Sequence, residues 1–159
     1  MEGSVIGVSL GTRLAGIAVM KRRELITYKV KTFKGVWSKK KQNEILKLFD
    51  TLYDHYNVKC LAIKLVSPLH SSKQVDVLTL CFMSRAKDKG IKVITFPLHE
   101  IKKTLGLKKS QSINEHIAGK YVELRKEYEQ EQNSFNLYYT KMFEAIAVAG
   151  LSESKIMKY

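Results

Sequence analysis

The apolar residues of this chain change their period once. Up to Phe33 they come in short strand-like runs. After Gly35 they recur at helical spacing, broken by two more short apolar runs. A chain so patterned is expected to start a sheet with hairpin-linked strands and to finish it through crossover helices. The first run, 5–10, ends at the turn signal Gly11-Thr12, and the second, 14–20, carries Gly16 inside it. Lys21-Arg22-Arg23 then reads as a polar turn. Residues 25–33 alternate, with Ile26, Tyr28 and Val30 on one side and Thr27, Lys29 and Lys31 on the other, so this strand is half-exposed. These three strands should form an antiparallel meander.

Beyond Gly35, Ile45, Phe49, Leu52 and Tyr56 share one helical face. Residues 59–66 read as a buried strand that stops near Pro68. Residues 73–89 read as a helix closed by Gly90, and 92–96 as a fifth strand closed by Pro97. Ser112 and Glu115 have capping-box spacing, and Ile113, Ile117, Tyr121 and Leu124 continue from them as an apolar stripe. The acid-rich stretch 123–131 reads as a solvated helix end and loop. Residues 139–151 form a last helix in which Ala145, Ala147 and Ala149 permit close packing. The predicted order is β-β-β-α-β-α-β-α-α. That is an α/β chain with one mixed five-stranded sheet and helices on both faces.

At 159 residues, 45% of them hydrophobic and only two of them proline, the chain is expected to fold as a single domain over 1–159. Its net charge of +13 favours a polyanionic partner, either nucleic acid or an acidic membrane surface. No stretch has the length of a membrane-spanning helix, and the N-terminus lacks the basic region of a signal peptide. Cys60 and Cys81 lie inside apolar patterns and read as reduced core thiols of a cytoplasmic protein. No Cys-x-x-Cys or His-x-x-x-His spacing points to zinc.

Four segments carry a resemblance. Ile6-Gly7-Val8-Ser9-Leu10-Gly11-Thr12-Arg13 resembles the opening strand and turn of ribonuclease-H-like nucleases, specifically RuvC-type Holliday-junction resolvases, whose pattern is Gly-(Ile/Val)-Asp-x-Gly-(Ser/Thr). Leu61-Ala62-Ile63-Lys64 resembles the fourth-strand run that ends in Glu in that family. Lys108-Lys109-Ser110-Gln111 resembles a basic Lys-Ser-Gln segment. Glu144-Ala145-Ile146-Ala147-Val148-Ala149 resembles Asp-Ala-x-Ala-(Ile/Val)-Ala on the last helix. The first segment also looks like the phosphate-1 motif of actin-like and sugar-kinase ATPases. Those proteins need two such domains, and this length has room for one.

The resemblance implies a carboxylate cluster holding two divalent metals that activate water against a phosphodiester. Here the cluster is depleted. Ser9 stands at the first acidic position and Lys64 at the second. On the last helix, Lys141 and Glu144 occupy a pair of acidic positions three residues apart. Only Glu144 keeps its acid. The resemblance therefore implies a catalytically inactive relative that needs no cofactor. Two readings of the altered site follow: an internal Lys64–Glu144 ion pair filling the old site, or Lys64 and Lys141 binding a phosphate in place of the metals. An alternative keeps the enzyme, with Mg²⁺ in a relocated site made from His70, Asp76, His99, Glu100 and Glu144.

The expected partner is nucleic acid, DNA in particular, held through phosphates. Lys102, Lys103, Lys108 and Lys109 follow the fifth strand on the side of the ancestral site, and Arg13 lies just past the first turn. The run of basic residues from Lys21 to Lys41 fits a solvated edge strand as well as it fits a binding surface. Within it, Trp37 reads as a lid on the first helix, with base stacking as the alternative. The surplus apolar residues of helix 73–89 suit a homodimer contact, and a structural or protein-interaction module is the further alternative.

Overall fold

The computed structural model describes residues 3–11, 13–33, 36–67, 72–108, 111–132 and 138–156. Strands β1 (Ser4–Leu10), β2 (Leu14–Lys21) and β3 (Glu24–Thr32) form the meander, followed by α1 (Lys39–His55), β4 (Val58–Leu65), α2 (Lys73–Asp88) and β5 (Lys92–Pro97). The C-terminal part holds α3 (Leu98–Thr104), α4 (Ile113–Lys120), a 3-10 turn (Val122–Leu124), α5 (Arg125–Gln132) and α6 (Thr140–Ile156). The sheet order is β3-β2-β1-β4-β5. The β1–β2 and β2–β3 pairs are antiparallel, while β1–β4 and β4–β5 are parallel. The predicted mixed sheet with helices on both faces is the one observed.

The capping chemistry accounts for the helix boundaries. Ser38, Ser72 and Ser112 each accept a hydrogen bond from the backbone N–H three residues on, at Lys41, Val75 and Glu115, and so start α1, α2 and α4. Gly90, at φ 73°, ends α2 in the left-handed conformation expected of a helix-terminating glycine.

Alternation along the strands divides the core. Ile6, Val8, Leu10, Ile17, Val19, Leu61 and Ile63 face α1 and α2, where they meet Phe49, Leu78 and Phe82. Val5, Ala18, Met20, Cys60, Ala62 and Phe96 face α6 and the shorter helices. Two glycines on this second face bring α6 onto the sheet. A Cβ at Gly7 would collide with the Ala145 carbonyl oxygen, and one at Gly16 with the Lys141 carbonyl.

Three expectations are corrected. Ile26 does not share the inward side with Tyr28 and Val30. The β2–β3 register slips beside Met20, which pairs with Leu25 while Val19 pairs with Thr27, so Leu25 turns inward and Ile26 is exposed. The stretch 123–131 is not a solvated loop. It forms the end of the 3-10 turn and most of α5, and buried Glu131 accepts a hydrogen bond from the Tyr139 backbone N–H. The last helix also extends past Leu151 to Ile156. Among the described residues no helix is long and apolar enough to cross a membrane, and Cys60 and Cys81 are free thiols.

Candidate functional site

The parallel register of β1 and β4 pairs Ser9 with Lys64, one residue before the last of each strand. Both side chains lie on the α6 face. α6 runs down that face with its first turn over the same place, and the close approach at Gly7 and Gly16 lowers Glu144 onto the strands. Ser9, Lys64, Lys141 and Glu144, drawn from three elements far apart in sequence, therefore converge. The Ser9 hydroxyl donates to Glu144 Oε1 at 2.9 Å. Lys64 Nζ lies 3.0 Å from Glu144 Oε2, and Lys141 Nζ lies 3.7 Å from Oε1. Ser9, Lys64 and Glu144 are buried, while Lys141 is partly exposed at the rim.

The predicted Lys64–Glu144 ion pair is present, and Lys141 joins it from the other oxygen. Burial pushes the Lys141 ammonium below the usual lysine pKa of 10.5, and the Lys64 charge pushes the same way; the Glu144 carboxylate opposes both. These groups do not fit a divalent metal. Mg²⁺ requires several oxygen ligands, whereas here a single carboxylate meets two cations and a hydroxyl donor. An ion entering beside Lys64 would face direct Coulomb repulsion.

Lys64, Lys141 and Glu144 form one wall of a cleft of about 430 Å³, with Ser9 buried behind them; Leu10, Gly11, Ser72, Val75, Leu98 and Thr140 are among its other lining residues. Sequence reasoning brought the start of α2 to this site through Asp76, whereas Ser72 and Val75 are the residues of that helix start that line the cleft. Ser72, as a helix cap just beyond the β4 end, was the available signal.

Among the described residues, the relocated metal site does not assemble. Glu100 on α3 pairs with Lys155 at 3.3 Å. Lys155 is eleven residues beyond Glu144, about 16 Å along α6 at the helical rise. Asp76 and His99 are exposed, and His70 lies outside the described residues. Among the described residues no group of three His, Cys, Asp or Glu is arranged to hold a metal.

The basic surface divides by element. Arg13 is exposed in the β1–β2 connection. Lys102 and Lys103 are exposed in the last turn of α3, where cations also favour the helix dipole, and Lys108 is exposed just beyond it. Lys109 lies outside the described residues, as do Thr12, Gly35, Pro68 and Ser110. In the run from Lys21 to Lys41, β3 is an edge strand whose Lys29 and Lys31 point to solvent, and Lys34 is outside the described residues. Trp37 is half-buried against the α1 side of the core, with Lys41 Nζ 5.5 Å from its ring centroid, and so acts as the lid on α1.

The fold is ribonuclease-H-like. It takes the form found in RuvC-type Holliday junction resolvases. The Thermus thermophilus RuvC structure superposes with a TM-score of 0.71 at 13% identity, over 96% of this chain and 96% of that one. The same enzyme in complex with a Holliday junction substrate gives 0.68 at 12% identity, over 98% and 96%. The yeast mitochondrial Holliday junction resolvase gives 0.61 at 11% identity, over 94% of this chain and 78% of that one. No model of a known protein family matches the sequence, and no curated protein matches it.

Proposed function

We propose that this chain binds nucleic acid, branched or structured DNA in particular, and does not cleave it. One observation carries the reading: the one carboxylate left at the ancestral site is taken up by Ser9, Lys64 and Lys141. The net charge of +13 supports a polyanionic ligand. The solved complex of Thermus thermophilus RuvC with a Holliday junction substrate supports the branched form. Arg13, Lys102, Lys103, Lys108 and Lys109 are the proposed phosphate contacts, and a cytoplasmic setting agrees with the free thiols.

The test is fluorescence anisotropy with a four-way junction and a matched duplex across a salt series, alongside a cleavage assay in Mg²⁺ and Mn²⁺. Five phosphate contacts would give a slope of log affinity against log salt of about −4.5. Junction binding without product is the expected result. Product that Glu144→Ala abolishes would overturn the non-cleaving part, and absence of binding at low salt would overturn the whole.

A second reading, a homodimer through α2, is favoured by the exposure of Val77 (39%) and Leu80 (66%) on that helix. Sedimentation at two salt concentrations tests it. A dimer that Leu80→Lys dissociates supports the reading, and a monomer at micromolar concentration rejects it.

A further inference from the structure

The cleft at the ends of β1 and β4 holds more positive than negative charge. Among the described residues lining it, Lys64 and Lys141 face a single carboxylate, Glu144; the remaining liners are neutral. One carboxylate can neutralise one ammonium, so the cleft keeps one positive charge in excess. A cation withdrawn from water without a full counter-charge is costly, and the lowered pKa of Lys141 reflects that cost. A filler ion pair would need only Lys64 and Glu144. The second lysine calls for an anion from outside.

The geometry leaves room for one. Ser72 and Val75 bring the start of α2 to the cleft wall, and Thr140 and Lys141 bring the start of α6. Two helices of sixteen and seventeen residues thus direct the positive ends of their dipoles toward one space. Asp76 in the first turn of α2 is exposed and does not line the cleft. Each ammonium has three N–H donors, and one from each suffices for Glu144. The remaining donors can reach a guest in the cleft.

We propose that this cleft seats one backbone phosphate of the bound nucleic acid, gripped by Lys64 and Lys141 without a metal. The inference rests on the nucleic-acid reading above and adds the point of contact. Glu144 becomes a positioning residue: it holds the two ammoniums side by side, and its own charge opposes the phosphate. A metal site and a lysine grip therefore respond oppositely to its neutralisation. Removing the carboxylate weakens a metal site and strengthens an anion site.

The experiment measures junction affinity and salt slope for the full chain and for Lys141→Gln and Glu144→Gln, with and without Mg²⁺. Inorganic phosphate is titrated separately and followed by thermal shift. Lys141→Gln is expected to weaken junction binding about tenfold and to reduce the salt slope by about one. Glu144→Gln is expected to tighten binding several-fold, and Mg²⁺ to weaken it as any salt does. Lys141 is partly exposed, so Lys141→Gln is decisive even if Glu144→Gln does not fold. Unchanged affinity and slope in Lys141→Gln, with the wild type still binding DNA, would overturn the phosphate seat and leave the broader reading standing on its surface lysines. If the wild type binds no nucleic acid, both fall. Lys141-dependent binding of inorganic phosphate with junction affinity indifferent to Lys141 would mean a free anion is the ligand, and would likewise overturn the proposal.

Discussion

The two faces of the sheet are built on opposite plans. Toward α1 and α2 the strands present Ile, Val and Leu, which meet Phe49, Leu78 and Phe82; the Phe49 and Phe82 rings stand edge to face with centroids 4.4 Å apart. Toward α6 they present Gly7, Gly16, Ala18 and Ala62 beside the larger Val5, Met20 and Phe96; Gly7 meets Ala145 and Ala149, and Gly16 meets the backbone of Lys141 and Met142. Large side chains bury the most apolar area and hold a helix away from the strands. Small ones let the α6 backbone rest on the sheet. Only that close approach brings Glu144 within hydrogen-bond distance of Ser9. Both faces bury a core, and the geometry of the site is set on the α6 face.

Gly7→Val is the strongest challenge to this division. The new side chain has nowhere to go but into the Ala145 carbonyl, and the cost is expected to reach about 4 kcal/mol or more. Failure to give a dispersed native NMR spectrum is the expected outcome; a stable, well-folded variant would show that α6 is not seated as described. Phe49→Ala, on the other face, should cost about 3–5 kcal/mol in denaturant unfolding. It should leave junction affinity unchanged under folding conditions. A specific loss of affinity in that variant would mean the two faces are not separable.

The polar cluster comes next in size. Lys64→Met leaves Glu144 buried with Lys141 and Ser9 as its partners, so the loss should be about 2 kcal/mol, less than the 3–5 typical of a fully orphaned buried charge. Lys64→Met combined with Glu144→Gln removes both charges and should recover most of that loss. Chemical denaturation of the two variants checks the pair. A double variant no more stable than the single one would show that the cluster holds the fold together through more than charge pairing.

Much of the fold was legible because binary patterning marks strands and crossover helices wherever one side is buried. The site was legible for a different reason. Ser9, Lys64, Lys141 and Glu144 could be named from motif positions, but their convergence depends on the glycine-permitted seat of α6, which no local pattern encodes. The failures share a cause. Ile26 alternates correctly with its neighbours, yet the slip in register turns it outward. Glu131 sits in an almost wholly polar segment, and only the fold reveals that its carboxylate caps the Tyr139 N–H from a buried position. The short helix α3, started at Pro97 without a side-chain cap, gave no periodic signal over its seven residues.

The smallest predicted effect sets the two faces against each other in alkaline solution. Lys141, on the α6 face, has a folded pKa below its ordinary 10.5. Between those two values the unfolded chain binds more protons than the folded one, so this group makes stability rise with pH. Tyr53, on the α1 face, behaves in the opposite sense. Burial, followed by the Asp50 carboxylate, raises its phenol above 10.0, with Arg85 opposing. Above pH 10 the folded state keeps a proton that the unfolded state gives up, and stability falls. The Tyr53 hydroxyl is also buried without a hydrogen bond among the described residues, so Tyr53→Phe should be neutral or slightly stabilising at pH 7. Denaturant unfolding from pH 8 to 11 should show Tyr53→Phe losing less stability than the wild type. Lys141→Met should fall behind the wild type as pH approaches 10.5. Parallel curves for all three proteins would mean that neither group feels its face as the structure arranges it. With saturating junction DNA, a phosphate beside Lys141 would raise its pKa and shrink the Lys141 difference while leaving the Tyr53 difference intact.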